Sequence, residues 1–263
     1  MMEFSELMHS IRRDRAAWTV SVGDDWLQGR TIYGGLAGAI CLEATQREFT
    51  DLPPLRSAQF AFIGPATGQL HITATTLRRG KSTVFIGTEL HGDDGLATRA
   101  TFCFGAARNS TLSYSAHDRQ PAQAPETYPP FFEQAPPFLR FLQHIDGRQA
   151  GGNFPFSGGK DPTMTLWLRH RDPGLKPSLV SLLALADAPP PAALAMVKQV
   201  GPISTMTWSI DVLTDTIETD NGWWMIHSTA DTAAGGYSSQ SMTVWNTSGK
   251  PVMTNRQNVA MFL

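Results

Sequence analysis

Two stretches of the chain, Arg56 to Gly105 and Ser204 to Phe262, carry the same pattern of apolar and polar positions. In the first, Arg56–Gly64, Gln69–Leu77, Ser82–Leu90 and Leu96–Gly105 are β-rich runs of alternating polarity. Gly-Pro, Arg-Gly-Lys and Asp-Asp-Gly separate them, and such residues predict hairpin turns. In the second, Ser204–Leu213, Gly222–Asp231, Tyr237–Trp245 and Pro251–Phe262 repeat the scheme. The spacing therefore predicts a four-strand antiparallel meander written twice. Ahead of the first copy lies Gly34–Phe49, with Leu36, Ile40, Ala44 and Arg47 on a helical repeat; ahead of the second lies the almost wholly apolar Ser178–Asp187. One buried helix per sheet is expected.

At the N-terminus, Phe4, Leu7, Met8 and Ile11 fall at helical spacing and predict a short amphipathic helix. Between the halves, Arg108 to Pro137 is rich in Ala, Pro, Gln and Ser, which excludes a central strand or long helix and reads as a surface connector. Beyond it, Phe138–Asp146 reads as a short helix or strand and Pro162–Asp172 as the opening strand of the second half. The expected organisation is a first unit over 1–107, a connector over 108–137 and a second unit over 138–263. The two sheets are expected to pair edge to edge, with both helices on the concave side.

Composition narrows the possible functions. The chain has 263 residues, 41% of them hydrophobic, enough for a sizeable core. A net charge of −2 gives no electrostatic reason to expect nucleic acid or an anionic membrane as partner. The N-terminus lacks the apolar core of a signal peptide, so a cytoplasmic location is expected. Cys41 and Cys103 lie in an apolar helix and an apolar strand and read as buried, reduced thiols. His71, His91, His170 and His227 are scattered without metal-ligand spacing, and no metal or cofactor is expected. Arg78, Arg79 and Lys81 flank a turn and read as solvated. Trp223 and Trp224 are adjacent in a strand, so one ring is expected to point inward and one outward. No Gly-x-Ser-x-Gly elbow is present, which disfavours a serine hydrolase of the α/β type.

Over nearly its whole length the chain resembles the acyl-CoA thioesterase II family. The resemblance is carried by Ile32–Ala44, with its Gly-Gly helix start, by Leu55–Ala66 and Leu77–Leu90, by Leu183–Asp187 closing the second helix, by Ser204–Ile210 and by Arg256–Phe262. It implies an α+β double hotdog fold, two tandem antiparallel sheets each wrapping one long apolar helix. It also implies hydrolysis of an acyl-CoA to free acid and coenzyme A, and a homodimer or higher homo-oligomer is plausible. The family's water-holding Asp, Thr and Gln fall on Asp187, Thr205 and Gln257. Thr207 stays in reserve for the Thr, because two residues on it would share the same strand face. This chain departs from the family where an Asp-His pair is replaced by Thr207 and Trp208.

The chemistry of these residues suits the reaction. A thioester carbonyl needs no covalent nucleophile if a water is aimed at it and its proton has an acceptor. A carboxylate at the end of an apolar helix, such as Asp187, is partly desolvated, which raises its pKa towards working pH. Thr205 and Gln257 offer neutral groups to fix the water. The free N–H groups at Gly34 and Gly35 could stabilise the oxyanion. Plainer roles exist for each: Asp187 as a helix end before prolines, Gln257 as a buried amide, the threonines as ordinary strand residues, the glycines as a tight turn. Two rival functions also stand, a hotdog enoyl-CoA hydratase and a non-catalytic acyl-CoA binding protein. The trio is complete only in the second copy, so one site per chain is expected, with the first copy lending Gly34 and Gly35.

Overall fold

A computed structural model of the protein describes residues 1–117, 123–133 and 135–263. Residues 118–122 and 134, part of the expected connector, lie outside the described residues. The strands are β1 (Arg12–Asp14), β2 (Ala17–Val22), β3 (Leu27–Gln28), β4 (Thr31–Ile32), β5 (Leu55–Phe62), β6 (Gly68–Arg79), β7 (Thr83–Gly92) and β8 (Gly95–Gly105) in the first half. In the second they are β9 (Ile145–Gly152), β10 (Thr163–His170), β11 (Ile203–Val212), β12 (Trp224–Ala234), β13 (Tyr237–Trp245) and β14 (Pro251–Met261). The α-helices are α1 (Phe4–Ser10), α2 (Gly34–Glu48) and α3 (Leu179–Ala186).

Among the described residues, 12 strands form one sheet in the order β1-β2-β6-β7-β8-β5-β11-β14-β13-β12-β10-β9, and β3 and β4 pair separately. The order is a near palindrome: β5, β8, β7, β6 and β2 run outward from the centre on one side as β11, β14, β13, β12 and β10 do on the other. The two halves are therefore continuous through the antiparallel β5–β11 seam, where Trp208 opposes Phe60 and Ile210 opposes Ala58. That pairing satisfies the backbone of two strands that would otherwise be sheet edges.

The expected four-strand meander is corrected in one respect. Only β6-β7-β8 and β12-β13-β14 are consecutive neighbours; β5 and β11 lie beyond β8 and β14. The Gly64-Pro65 punctuation is thus a crossover rather than a hairpin turn. From β5 to β6 is three strand spacings, roughly 14 Å, and the residues between Phe62 and Gly68 reach that far when extended. True hairpins occupy the later turns. Gly235 and Gly236 join β12 to β13 with φ of 60° and 83°, the left-handed pair a tight two-residue hairpin demands.

The helices begin and end for local reasons. Ser178 caps α3 by accepting the Ser181 N–H, with the Ser181 hydroxyl side chain returning to the Ser178 N–H. Pro189, Pro190 and Pro191 follow Asp187 and prevent its continuation. The two core helices are unequal, 15 residues in α2 and 8 in α3. Helix α2 packs on α3 and on β6, β7 and β8, and its buried face includes Leu36, Ile40, Cys41 and Ala44. Cys41 and Cys103 are both free thiols; burial pushes the Cys41 thiol up to about 12. Helix α1 ties the halves further: Phe4 lies against His170, and the Ser5 N–H donates to Asp172.

Trp223 and Trp224 do take opposite faces, yet both are buried. Trp224 belongs to the main core. Trp223 joins Trp167, Met225 and Trp245 on the other face, where Tyr128 of the connector packs against them and Glu126 accepts the Trp223 indole N–H. The connector and the Arg169 guanidinium, 4.4 Å over the Trp223 ring, cover the outer indole, so strand alternation alone could not reveal its burial.

At the seam, Phe60 is 3% exposed and packs against Phe102 and Trp208. Phe60→Ala should lower unfolding stability by about 3–5 kcal/mol, the range for truncating a buried aromatic. Urea titration followed by tryptophan fluorescence checks it, and because the seam is shared the two halves should lose stability together.

Candidate active site

The C-terminal turn of α3 packs alongside the N-terminal turn of α2, and Asp187 lies at the junction. It is the C-cap residue of α3. Its Oδ1 accepts the Gln257 Nε2–H at 2.5 Å, and the backbone N–H of Gly35, in the first turn of α2, also hydrogen-bonds its carboxylate. A helix N-terminus is where free N–H groups and the helix dipole favour negative charge. The close approach explains both glycines. A Cβ on Gly34 would stand 2.7 Å from Asp187 Oδ2 and 2.9 Å from the Phe62 ring. One on Gly35 would stand 2.5 Å from the Ala184 carbonyl oxygen and 3.0 Å from Asp187 Cβ. The Tyr33 hydroxyl donates to that same carbonyl at 3.2 Å, meeting an acceptor the end of α3 leaves open.

Burial pushes the Asp187 carboxyl up to about 7 from 3.8, against the hydrogen bonds from Gln257 and Gly35, which pull it down. Burial, together with the nearby Asp187 charge, holds the Tyr33 hydroxyl well above its ordinary value, so it stays neutral.

Gln257, 4% exposed, lies on β14. Its Oε1 accepts the Gln240 Nε2–H at 2.7 Å, and Gln240 Oε1 accepts the Ala192 N–H at 2.9 Å. Gln240 is a residue the sequence reading missed. The signal was present: it occupies the core-facing positions of β13 with Ser238, Met242 and Val244, where a lone amide stands out.

Of the expected trio, the structure joins Asp187 and Gln257 directly and brings Gly34 and Gly35 against them. Thr205 is half-buried and opposes Val259 on β14, the face Gln257 also uses. Among the described residues no hydrogen bond joins Thr205 to Asp187 or Gln257. Thr207 is corrected: a bulge between Thr205 and Thr207 inserts Met206, so the two threonines do not share a face and Thr207 is exposed. The same bulge turns Trp208 inward, opposite Gln257, where its Nε1–H donates to Asn255 Oδ1 at 3.0 Å and its ring lies 5.3 Å from that of Phe60. Phe60 and Phe62 continue this aromatic wall towards Gly34. The Gly35 N–H, expected at the oxyanion, faces the Asp187 carboxylate and helps to pull its pKa down.

Two clefts, about 640 and 450 Å³, lie away from this carboxylate, one beside Phe132, Leu139 and Arg148, the other between Phe49, Leu179 and Val212. Neither gathers a desolvated acid beside donors, so chemistry rather than volume marks the site. Among the described residues no group of three or more His, Cys, Asp or Glu could hold a metal ion, and no helix is long and apolar enough to cross a membrane.

Residues 22–105 match the acyl-CoA thioesterase N-terminal domain, and residues 118–261 match the acyl-CoA thioesterase C-terminal domain. The chain belongs to the acyl-CoA thioesterase family. No curated protein sequence matches it. Among solved structures it is similar to a conserved hotdog-fold protein of unknown function from Alicyclobacillus acidocaldarius, with 24% identity and a TM-score of 0.89 over 100% of this chain and 99% of that one. It is also similar to an acyl-CoA thioesterase II from Mycobacterium marinum, with 17% identity and a TM-score of 0.75 over 97% and 96%. Both likenesses show the hotdog fold in this thioesterase-family chain.

The geometry makes two predictions. Gly35→Ala forces α2 from α3 and should cost about 1–3 kcal/mol, the range for overpacking, read as a lower urea midpoint. The second concerns pH. The folded protein keeps the Asp187 proton to about 7 while the unfolded chain releases it near 3.8. The stability this group contributes is thus full below about pH 3.8 and is lost as pH rises through about 7. Asp187→Asn abolishes that loss, so its melting temperature should gain on the wild type between pH 4 and pH 8.

Proposed function

We propose that this chain hydrolyses an acyl-CoA thioester to free acid and coenzyme A, using a water held by Asp187, Gln257 and Thr205. The observation that carries the reading is one desolvated carboxylate, ionising near neutral pH, hydrogen-bonded to Gln257 at the N-terminus of a helix. Water attacks the thioester carbonyl carbon and its proton passes to Asp187. The carbonyl becomes a tetrahedral oxyanion, for which we assign the Gly34 N–H as donor, since the first N–H groups of a helix lack intrahelical partners. Collapse breaks the C–S bond, and the proton on Asp187 leaves with the coenzyme A sulfur. Phe60, Phe62 and Trp208 supply an apolar wall for the acyl chain.

The same reading divides the chain into hotdog units at 1–107 and 138–263, each sheet half curving around its own helix. The intact Asp187–Gln257 pair weighs against a non-catalytic binding protein. A hydratase would use a paired Asp and His, and among the described residues Asp187 has no histidine partner.

Purified protein incubated with a panel of acyl-CoA esters and a thiol reagent should release free coenzyme A. Loss of enoyl absorbance without thiol release would instead mark a hydratase. Asp187→Asn should lower turnover by at least about a hundredfold, the lower end of what a positioned base contributes. Because the ionised form is the base, wild-type kcat/KM should rise with pH and level off above about 7. Turnover in Asp187→Asn equal to wild type would remove Asp187 from the mechanism.

A further inference from the structure

We propose that Gln240 is a positioning residue, which fixes the end of the Gln257 amide that faces Asp187 and so makes Gln257 a dedicated donor to the site. The inference rests on the thioesterase reading and deepens it.

The two ends of a glutamine amide have nearly the same shape and opposite chemistry. An amide beside a carboxylate is useful with its N–H₂ forward and repulsive with its oxygen forward. Nothing in Gln257 itself selects between them. The selection begins at Ala192, fully buried and the first residue of the short 3₁₀ turn Ala192–Met196. Its N–H has no earlier turn to bond, because Pro189, Pro190 and Pro191 precede it, and a buried N–H must find an acceptor. It finds Gln240 Oε1.

A backbone N–H can only donate. Gln240 must therefore turn its oxygen to Ala192, which leaves its Nε2 facing Gln257. That Nε2–H donates to Gln257 Oε1, which in turn leaves Gln257 Nε2 facing Asp187. The direction set by one main-chain N–H is thus passed through two amides to the carboxylate. Gln240 opposes Gln257 across β13–β14, and Gln257 opposes Trp208 across β14–β11, so the relay is braced on both sides. Gln240 is 0% exposed, and its Nε2 also lies 3.8 Å from Met242 Sδ. With its oxygen taken by Gln240, Gln257 keeps its second N–H for the oxygen of the attacking water, whose proton is then directed to Asp187. Among the described residues, Tyr33 is the titratable group coupled to Asp187, and it stays neutral over the working range.

Two variants test the relay in the full-length protein. Gln240→Met keeps length and apolar bulk but supplies neither acceptor nor donor. Gln240→Glu keeps an acceptor for Ala192 and offers Gln257 an acceptor where it needs a donor, which turns the Gln257 amide over. In the thiol-release assay kcat should fall about tenfold in Gln240→Met, the weight of one neutral hydrogen bond, and further in Gln240→Glu, with KM within about twofold of wild type. The midpoint of the acid limb should rise in both. A merely structural Gln240 would lower the melting temperature and leave that midpoint in place.

A readout independent of turnover keeps the two readings apart. The melting temperature of each protein is compared, from pH 4 to pH 9, with that of the same protein carrying Asp187→Asn. The gap within the wild-type pair should widen from about pH 4 and level off near pH 7, and that within the Gln240→Met pair should go on widening to a higher pH. An unmoved divergence, or wild-type kcat and midpoint in both variants, overturns the relay. A wild type that releases no thiol while the divergence still shifts overturns the hydrolase reading and upholds the relay.

Discussion

A carboxylate taken out of water must be met by donors, and the meeting of Asp187 with the N-terminus of α2 is the contact on which the site depends. It requires α3 to end where α2 begins, at a separation closed to any side chain on Gly34 or Gly35. It also requires β14 to pass beneath with Gln257 facing inward. Three elements far apart in sequence are thereby held to one atom group. The incomplete compensation of its burial leaves Asp187 able to exchange a proton near neutral pH, which is the property hydrolysis needs.

The sheet explains why one half carries this arrangement. At the seam the strands are near-equivalents, yet Trp208 is opposed on β14 by Gln257, whereas Phe60 is opposed on β8 by Ala100. The first half presents a methyl where the second presents an amide. It contributes the helix N-terminus and Phe62 instead. Duplication followed by this kind of asymmetry turns two copies of a fold into one site, because the donors and the acid need only converge once.

The period-2 runs and the two apolar helices were legible because each is a local consequence of burial on one face. The Asp187, Thr205 and Gln257 assignments came from family resemblance, and the structure joins two of the three directly. What stayed hidden was non-local. The Gly64-Pro65 crossover looks like a hairpin turn until β5 is seen to pair with both β8 and β11. The bulge at Met206 obeys no residue preference that sequence displays, yet it decides that Thr205 and not Thr207 shares a face with Gln257. Part of the cover over Trp223 comes from Tyr128 and Glu126, almost a hundred residues earlier in the chain. Gln240 was readable as a polar residue on a core face, but its meaning depends on an N–H at Ala192.

The replacement of the family's Asp-His pair by Thr207 and Trp208 also acquires a physical sense. Thr207 faces solvent, and Trp208 fills the inner position with a ring fixed by Phe60 on one side and by its bond to Asn255 on the other. A large apolar group there brings no second proton carrier to the position opposite Gln257. With Tyr33 held neutral by burial, a proton that the proposed mechanism passes to Asp187 leaves from Asp187 as well. On the proposed mechanism one carboxylate is then base for the water and acid for the departing sulfur. That double duty favours a pKa near working pH over one at the ordinary aspartate value, because a stronger acid would return the proton readily but accept it poorly. The desolvation imposed by the α2–α3 junction is what supplies that compromise.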